Sequence, residues 1–229
     1  MIIAGGTGRR TMQNTPKQFI KVNDKEVIAY TLEKFQRHPM IDRIAVVCVE
    51  GYEDTVSSCA EKYGITKLKH LIPGGETAQE SIRNGLFELE KEYDGNDLVV
   101  IHDAVRPMVS EEIITDCIRK AEQFGIAMAA MPCADAMFTA ADGLAESEYP
   151  REHLYRTQRP HCFRLGEACR IHRTAIQENI QNATCTAAIA AKLGYKIALS
   201  SGSETNLKLT TVEDVRIFEA LLFLDKQNA

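Results

Sequence analysis

The sequence predicts an α/β protein with a mostly parallel sheet that is covered by helices on both faces. Short apolar runs alternate along the chain with segments of helical periodicity, as where residues 44–49 precede residues 54–63. Several of these runs are apolar at every position, which is typical of strands that are buried on both sides. Because strands that alternate with helices form right-handed βαβ units, we expect one such sheet.

The elements follow from these two patterns in order along the chain. The apolar runs predict strands at residues 1–4, 44–49, 69–72, 98–101, 126–131 and 196–200. The helical periodicity predicts helices at residues 27–37, 54–63, 81–93, 111–124, 167–178, 186–193 and 212–224. The last of these helices follows Thr211 and carries Glu213 and Asp214 in its first turn, which is a favourable helix start.

One stretch, residues 132–160, does not follow this alternation. It is mixed in composition and contains Asp142-Gly143, a dipeptide that is common in tight hairpin turns. We therefore expect a hairpin or arm there rather than a core element. Since no internal repeat, low-complexity tract or linker is present, residues 1–229 are expected to form a single domain with a protruding arm at about 137–155.

The composition limits the classes of partner. Hydrophobic residues make up 45% of the 229 residues, enough for a sizeable core, and the formal net charge of −5 argues against a nucleic-acid-binding face. The seven cysteines are scattered and never spaced as CxxC, so neither a zinc site nor a disulfide framework is indicated. No apolar run is long enough to cross a bilayer. We expect a cytoplasmic protein without nucleic-acid or membrane partners.

A glycine-rich loop after the first strand is the strongest signal for chemistry. It reads Ala4-Gly5-Gly6-Thr7-Gly8-Arg9-Arg10 and is followed by Pro16-Lys17-Gln18-Phe19. Glycines after a strand let backbone N–H groups approach a phosphate, and Arg10 and Lys17 would stabilise the charge that develops during phosphoryl or nucleotidyl transfer. The alternative is an ordinary tight turn. A nicotinamide-binding fingerprint is disfavoured because Thr11 occupies the third glycine position.

Further polar residues follow later strands. Asp103 follows the carboxyl end of the strand at 98–101, where open α/β sheets bind ligands, and its carboxylate is suited to Mg²⁺. Gly75 and Ser81 lie between another strand and its helix, and Lys208 lies between the last strand and the final helix. Lys208 could equally be a solvated surface lysine.

These motifs occur together in one known family. A-G-G-T-G-R-R at 4–10, P-K-Q-F at 16–19, H-D-A-V-R-P at 102–107 and N-L-K-L-T at 206–210 resemble the 2-C-methyl-D-erythritol 4-phosphate cytidylyltransferases and the related ribitol-5-phosphate cytidylyltransferases. The resemblance implies a Rossmann-like nucleotidyltransferase fold, CTP and a small alditol phosphate as substrates, and Mg²⁺ as cofactor. It also implies a homodimer in which the arm embraces the second subunit.

The resemblance also implies roles for individual residues. Arg10, Lys17 and Lys208 would be catalytic, stabilising the transition state at the α-phosphate, and Asp103 would ligate Mg²⁺. The nucleotide would be bound by Ala4, Gly5, Gly6, Thr7, Gly8, Gly75, Ser81 and Arg106. The acceptor would be bound by Asp135, Arg151, Arg159 and Thr184.

The departures from the family pattern lie mostly on the acceptor side. They are Ala78, Ala136, Arg159, His161 and Cys185, and all but Ala78 fall where the family holds the acceptor, so they could change which acceptor is selected. We expect 2-C-methyl-D-erythritol 4-phosphate as the acceptor, in isoprenoid precursor synthesis, because Asp135, Arg151 and the motif order follow that group. The alternatives are ribitol 5-phosphate or another polyol phosphate for a cell-surface polymer, and a nucleotide-binding homologue with an impaired acceptor site.

Overall fold

The computed structural model describes residues 1–6 and 15–227. Its strands are β1 (Ile2–Ala4), β2 (Lys21–Val22), β3 (Lys25–Glu26), β4 (Ile44–Cys48), β5 (Leu68–Pro73), β6 (Leu98–Asp103), β7 (Ile126–Pro132), β8 (Met137–Ala141), β9 (Leu144–Tyr149), β10 (Tyr155–Arg164) and β11 (Ala198–Ser201). Its helices are α1 (Val27–Arg37), α2 (Glu53–Lys62), α3 (Ala78–Leu89), α4 (Glu111–Phe124), α5 (Leu165–Gln177), α6 (Thr186–Lys192) and α7 (Val212–Gln227).

In the described ranges, the main sheet has seven strands in the order β11-β7-β10-β6-β1-β4-β5. The neighbouring pairs β1–β4, β1–β6, β4–β5 and β7–β11 are parallel. Only β10 within this sheet runs antiparallel to its neighbours, β6 and β7. The sheet is therefore mostly parallel, as the alternation of apolar runs and helices predicts.

Hydrophobic cores cover both faces of the sheet. In β4, Val46 and Cys48 belong to the core that contains residues of α1, α2 and α4. The intervening Ala45 and Val47 belong to the core that contains residues of α3, α5 and α6. Because successive side chains of a strand point to opposite faces, a strand between two cores is apolar at every position.

The region at 132–160 differs from the prediction in one respect. The hairpin is present as β8 and β9, with exposed residues throughout, but β10 begins at Tyr155 and is a core strand. Residues 155–157 of β10 are exposed, residues 159–163 are buried, and the pairing with β7 shifts register between Thr157 and His161. A polar, exposed start and a proline at 160 hide this strand from a search for continuous apolar runs.

The starts of α3 and α7 illustrate what fixes helix boundaries. The prediction placed the first of these helices at 81–93, whereas α3 spans Ala78–Leu89. Its start is fixed by a capping box in which Glu80 N donates to Thr77 Oγ1 at 3.1 Å and Thr77 N donates to Glu80 Oε2 at 3.1 Å. The predicted cap of the last helix is confirmed, since Asp214 N donates to Thr211 Oγ1 at 3.2 Å.

The cysteines are free thiols, and five of the seven are buried. Burial raises the pKa of the Cys117 thiol to about 12, so this thiol is protonated and unreactive near neutral pH. Among the residues that the structure describes, no helix has the length and apolar character needed to cross a membrane.

Candidate active site

A cleft of about 930 Å³ opens at the carboxyl ends of the parallel strands. It is lined by residues that follow β1, β4, β5 and β6, together with part of β10 and the segment that precedes α7. This edge is where open α/β sheets bind their ligands, since loops from several strands converge there. The cleft is therefore the candidate active site.

Most of the predicted site residues meet in this cleft. Those that line it are Ala4, Gly5, Gly6, Lys17, Gly75, Ser81, Asp103, Arg106, Arg159, Thr184 and Lys208. Thr7, Gly8 and Arg10 lie outside the described residues. Asp135 and Arg151 do not line the cleft, because Asp135 is exposed and the Arg151 guanidinium donates a hydrogen bond to Ala134 O at the base of the β8–β9 hairpin. Their acceptor role stays a prediction.

Asp103 lies at the centre of a group of cations. Its Oδ2 is 3.1 Å from Arg106 Nε and 3.3 Å from Lys208 Nζ, and its Oδ1 is 4.0 Å from Arg159 Nε. Burial alone would raise the pKa of Asp103, but Arg159, Lys208 and Arg106 together hold it well below its ordinary value. One carboxylate thus faces three cations, and the excess positive charge suits a polyphosphate ligand.

A hydrogen-bond network brings these cations together from distant parts of the chain. Arg106 Nη1 donates to Asn206 O at 2.8 Å, and Asn206 Nδ2 donates to Arg159 O at 2.7 Å. Gln158 Nε2 donates to Ser203 O at 2.8 Å. The segment that carries Lys208 is therefore tied both to β10 and to the turn after β6. Lys208 thus lines the cleft beside Asp103 with a side chain that is 44% exposed, and its catalytic role stays a prediction.

Arg159 lines the cleft and has one buried guanidinium nitrogen without a hydrogen-bond partner among the described residues. The residue is only 6% exposed, and its Nη1 has no hydrogen-bond partner among the described residues. A buried donor without a partner is costly unless a ligand supplies the acceptor. This guanidinium is therefore a candidate contact for an anionic group of the substrate.

The loops after β1 and β5 approach each other through Ser81. Gly75 N donates to Ser81 Oγ at 3.0 Å, and a Cβ atom added at Gly5 would lie 2.9 Å from the same oxygen. A Cβ atom added at Gly75 would lie 2.4 Å from Glu80 Cβ. These glycines are required because the backbone comes so close to neighbouring atoms, and they leave backbone groups facing a ligand.

The sequence reasoning missed Gln18, which supports this glycine loop. Gln18 is 1% exposed, and its Nε2 donates to Ala4 O at 2.6 Å and to Gly6 O at 3.2 Å. Its signal in the sequence was a position directly after Lys17 in the P-K-Q-F motif. Nothing else in the local sequence indicates that this amide is turned inward, because its partners are carbonyl oxygens 12 and 14 residues earlier in the chain.

Two histidines in this region are neutral. Burial lowers the pKa of His102 to about 3, and burial together with Arg159 holds the pKa of His161 well below its ordinary value. His161 lines the cleft but is 2% exposed. His161 is therefore a packed histidine that is uncharged near neutral pH.

The fit of the site to Mg²⁺ depends on Asp103 alone. In the part of the chain that the structure describes, no cluster of three or more His, Cys, Asp or Glu side chains could hold a metal ion. Mg²⁺, however, is commonly bound by one or two carboxylates together with substrate phosphates and water. Oδ1 of Asp103 suits that mode, because Arg159 Nε at 4.0 Å lies beyond hydrogen-bonding distance.

An open parallel sheet whose strand ends present glycine-rich loops, a carboxylate and clustered cations defines an α/β enzyme of the nucleotidyltransferase class. The family model of 2-C-methyl-D-erythritol 4-phosphate cytidylyltransferase matches residues 1–223, and the chain belongs to that family. By family, therefore, it is a cytidylyltransferase, and the resemblance stated on the sequence motifs is confirmed.

Individual relatives match over nearly the full length. A ribitol-5-phosphate cytidylyltransferase from Vibrio parahaemolyticus is 39% identical, covering 97% of this chain and 94% of the relative. A 2-C-methyl-D-erythritol 4-phosphate cytidylyltransferase from Clostridium acetobutylicum is 36% identical, covering 97% and 96%. A crystal structure of 4-diphosphocytidyl-2C-methyl-D-erythritol synthase superposes with a TM-score of 0.80 at 29% identity, covering 96% of this chain and 95% of that one. The predicted Rossmann-like nucleotidyltransferase fold is confirmed.

Proposed function

We propose that this enzyme transfers CMP from CTP to ribitol 5-phosphate and releases pyrophosphate. The observation that carries the transfer chemistry is the cluster of Arg106, Arg159 and Lys208 around Asp103, opposite the glycine loop. In the reaction a phosphate oxygen of the acceptor attacks the α-phosphorus of CTP, a new P–O bond forms, and the bond to the β-phosphate oxygen breaks. The products are a CDP-alditol and pyrophosphate.

The site residues fit this reaction without a side-chain base. The acceptor phosphate is already largely dianionic near neutral pH, so its oxygen needs no deprotonation. His102 and His161 are buried with lowered pKa values and are neutral there. We assign acceleration to alignment and to neutralisation of the developing charge by Lys17 and Lys208, with Arg10 as a third predicted cation.

We also propose Mg²⁺ as the cofactor, held by Asp103 and by oxygens of the bound triphosphate. When bound, Mg²⁺ supplies positive charge to the phosphate oxygens and orients them. The position of Asp103 in the cleft supports this assignment, because the negative charge of a bound triphosphate would offset the repulsion between Mg²⁺ and the three neighbouring cations. Release of pyrophosphate should stop in excess chelator and return when Mg²⁺ is restored, and persistent turnover in chelator would contradict the role of Asp103.

The choice of acceptor rests on two observations. The Vibrio parahaemolyticus relative, at 39% identity, is named for ribitol 5-phosphate. Arg159, which departs from the family motif, adds a largely buried cation to the lining of the cleft, and we assign it to the acceptor phosphate. The second candidate acceptor is 2-C-methyl-D-erythritol 4-phosphate, favoured by the family model and by the motif positions Asp135 and Arg151. It would place the enzyme in isoprenoid precursor synthesis.

Two further features belong to this proposal. The β8–β9 hairpin exposes Phe138 at 57% and Leu144 at 73%, apolar area that would be buried if the hairpin contacted a second copy of the chain. We therefore retain the homodimer as part of the proposed function.

A cytoplasmic location also stays a prediction, supported by free thiols that a reducing compartment would preserve.

The decisive experiment is a pyrophosphate-release assay with CTP, Mg²⁺ and a panel of acceptors. The panel holds ribitol 5-phosphate, 2-C-methyl-D-erythritol 4-phosphate and unphosphorylated ribitol, the last as a matched negative control. A kcat/KM at least tenfold higher for ribitol 5-phosphate supports the proposal, and the reverse order assigns the second acceptor. If no acceptor supports pyrophosphate release while CTP still binds, the result would favour the nucleotide-binding homologue with an impaired acceptor site.

A further inference from the structure

Gln18 connects two parts of the active site that are far apart in the sequence. It lies in a short 3-10 turn, Lys17–Phe19, and its Nε2 donates to both Ala4 O and Gly6 O. One amide group therefore satisfies two carbonyl oxygens of the glycine loop from a position that is 1% exposed. Without it, the carbonyl oxygen of Ala4, a residue that is 2% exposed, would need another donor.

The geometry of the peptide bond gives this contact a consequence for the loop. A trans peptide is planar, so the N–H of a residue points away from the C=O of the residue before it. Holding Ala4 O against Gln18 therefore turns Gly5 N–H away from Gln18. Ala4, Gly5 and Gly6 all line the cleft, so the carbonyl contacts of Gln18 set the orientation of a backbone that faces the ligand.

The same turn also positions Lys17. Phe19 N donates to Pro16 O at 2.9 Å, and the Phe19 ring stacks on Tyr52 with 5.0 Å between ring centroids. These contacts hold the turn on one side, and Gln18 holds it against the glycine loop on the other. Lys17, the first residue of the turn, lines the cleft. Gln18 therefore links the turn that carries Lys17 to the glycine loop.

We infer that Gln18 is a positioning residue for cytidylyl transfer, which aligns the glycine loop and Lys17 with each other on the bound triphosphate. This inference rests on the proposed function, since it names a residue that serves that reaction. Gln18 itself does not touch the reacting atoms. Its loss should lower kcat because a misplaced cation and misdirected backbone donors stabilise the transition state poorly, while ground-state binding of CTP changes less.

Two substitutions separate positioning from bulk stability. In Gln18→Glu the ionised carboxylate repels both carbonyl oxygens, whereas the protonated acid can donate to one of them. Burial beside two carbonyl oxygens acts to raise the pKa of such a carboxyl group. In Gln18→Leu no donor exists at any pH. Gln123→Glu, on an exposed position of α4, is the matched control for the same change of charge.

The assay measures kcat and KM for CTP between pH 6 and pH 8, with melting temperatures recorded for each variant. We expect Gln18→Glu to lose about tenfold to a hundredfold in kcat at pH 8, with KM for CTP changed less than about threefold. The ratio of its kcat to that of the wild type should rise at least about threefold at pH 6. Gln18→Leu should show a loss without recovery, and Gln123→Glu should match the wild type.

Results other than these would refute either the role of Gln18 or the proposed function. Wild-type kcat in Gln18→Glu at pH 8 would overturn the inference. So would losses in both Gln18 variants that are independent of pH and follow the melting temperature alone, since these indicate a purely structural residue. Wild-type protein without turnover on any acceptor would refute the proposed function and this inference with it. If the wild-type enzyme is active but the ratio of the kcat of Gln18→Glu to that of the wild type does not change between pH 8 and pH 6, the inference alone would be refuted.

Discussion

Replacing Asp103 with asparagine tests the electrostatic design of the cleft directly. The change keeps the shape of the side chain but removes the negative charge that faces Arg106 at 3.1 Å, Lys208 at 3.3 Å and Arg159 at 4.0 Å. The three cations then repel one another without a counterion. Both Arg106 and Arg159 are largely buried, with side-chain exposures of 12% and 8%, so water can compensate little.

The expected loss of stability follows from this geometry. Removing one partner of a buried ion pair costs about 3–5 kcal/mol, because the remaining charge is left uncompensated. The lower end applies here, since Lys208 is 44% exposed and solvent screens its contribution. For a chain of this size about 1 kcal/mol shifts the melting temperature by roughly 2–4 °C. We therefore expect Asp103→Asn to melt about 6–12 °C below the wild type.

CTP should partly reverse this loss. The triphosphate brings negative charge to the same three cations, so in excess chelator CTP should raise the melting temperature of Asp103→Asn by more than that of the wild type. Differential scanning fluorimetry with and without CTP measures both quantities, and pyrophosphate release measures activity, which should fall at least a hundredfold with Mg²⁺ present. Asp225→Asn, at an exposed position of α7, is the control for the loss of one carboxylate.

The reasoning would be refuted by an Asp103→Asn variant that melts with the wild type. It would also be refuted if CTP stabilised the variant no more than the wild type, because the cations would then not be directed at the triphosphate. A stable variant with full activity would remove Asp103 from the proposed Mg²⁺ site as well.

Three further predictions follow from other parts of the structure. Lys17→Ala should lower kcat by at least about a hundredfold with a smaller change in CTP affinity, as measured by steady-state kinetics and calorimetry, because its charge acts mainly in the transition state. Arg159→Gln should raise KM for the acceptor about tenfold or more and leave KM for CTP nearly unchanged, and the reverse pattern would move Arg159 to the nucleotide side. Burial, with a smaller effect of Arg83, lowers the pKa of His172 to about 4. As the pH falls from about 6.5 to 4, the imidazole is therefore protonated in the unfolded chain but not in the folded one. The free energy of unfolding should drop by about 1.4 kcal/mol per pH unit in this range. His172→Gln, which keeps a hydrogen-bonding group near Thr186, should reduce that slope in urea unfolding at pH 7, 6 and 5, and an unchanged slope would contradict the assignment.

These predictions have internal controls. Lys69→Ala removes an exposed lysine of β5 and should leave kcat unchanged, which separates the effect of Lys17 from a general loss of positive charge. The slope in His172→Gln should fall without vanishing, because burial also lowers the pKa values of His102 and His161 and the unfolded chain protonates them in the same direction.

The parallel part of the fold was readable from the sequence because its strands lie between two cores. Residues 44–49 are apolar at every position, and the strand found there, Ile44–Cys48, is buried throughout. The helix predicted at 111–124 has those bounds in the structure, since Ser110 caps it by accepting from Ile113 N at 3.3 Å and Gly125 ends it at a φ of 87°. Where burial and local capping decide an element, the sequence carries the information.

The missed features depend on contacts between distant segments. β10 is polar at its exposed start and becomes a core strand only by pairing with β6 and β7. Asn206 contributes to the site by donating to Arg159 O, a carbonyl 47 residues earlier in the chain. Motif order predicted that Asp103 and Lys208 serve one ligand, but nothing local predicted the side chains that bring them within 3.3 Å of each other.

The antiparallel strand β10 connects the β8–β9 hairpin to the part of the cleft that Arg159 lines. The chain leaves the sheet at the end of β7, forms the β8–β9 hairpin and returns into β10, and Cys133 N donating to Leu154 O at 2.9 Å extends the ladder towards the hairpin. Arg159 lies a few residues further along that returning strand, beyond the shift of register. The hairpin and a side chain that lines the cleft are therefore joined by one continuous strand.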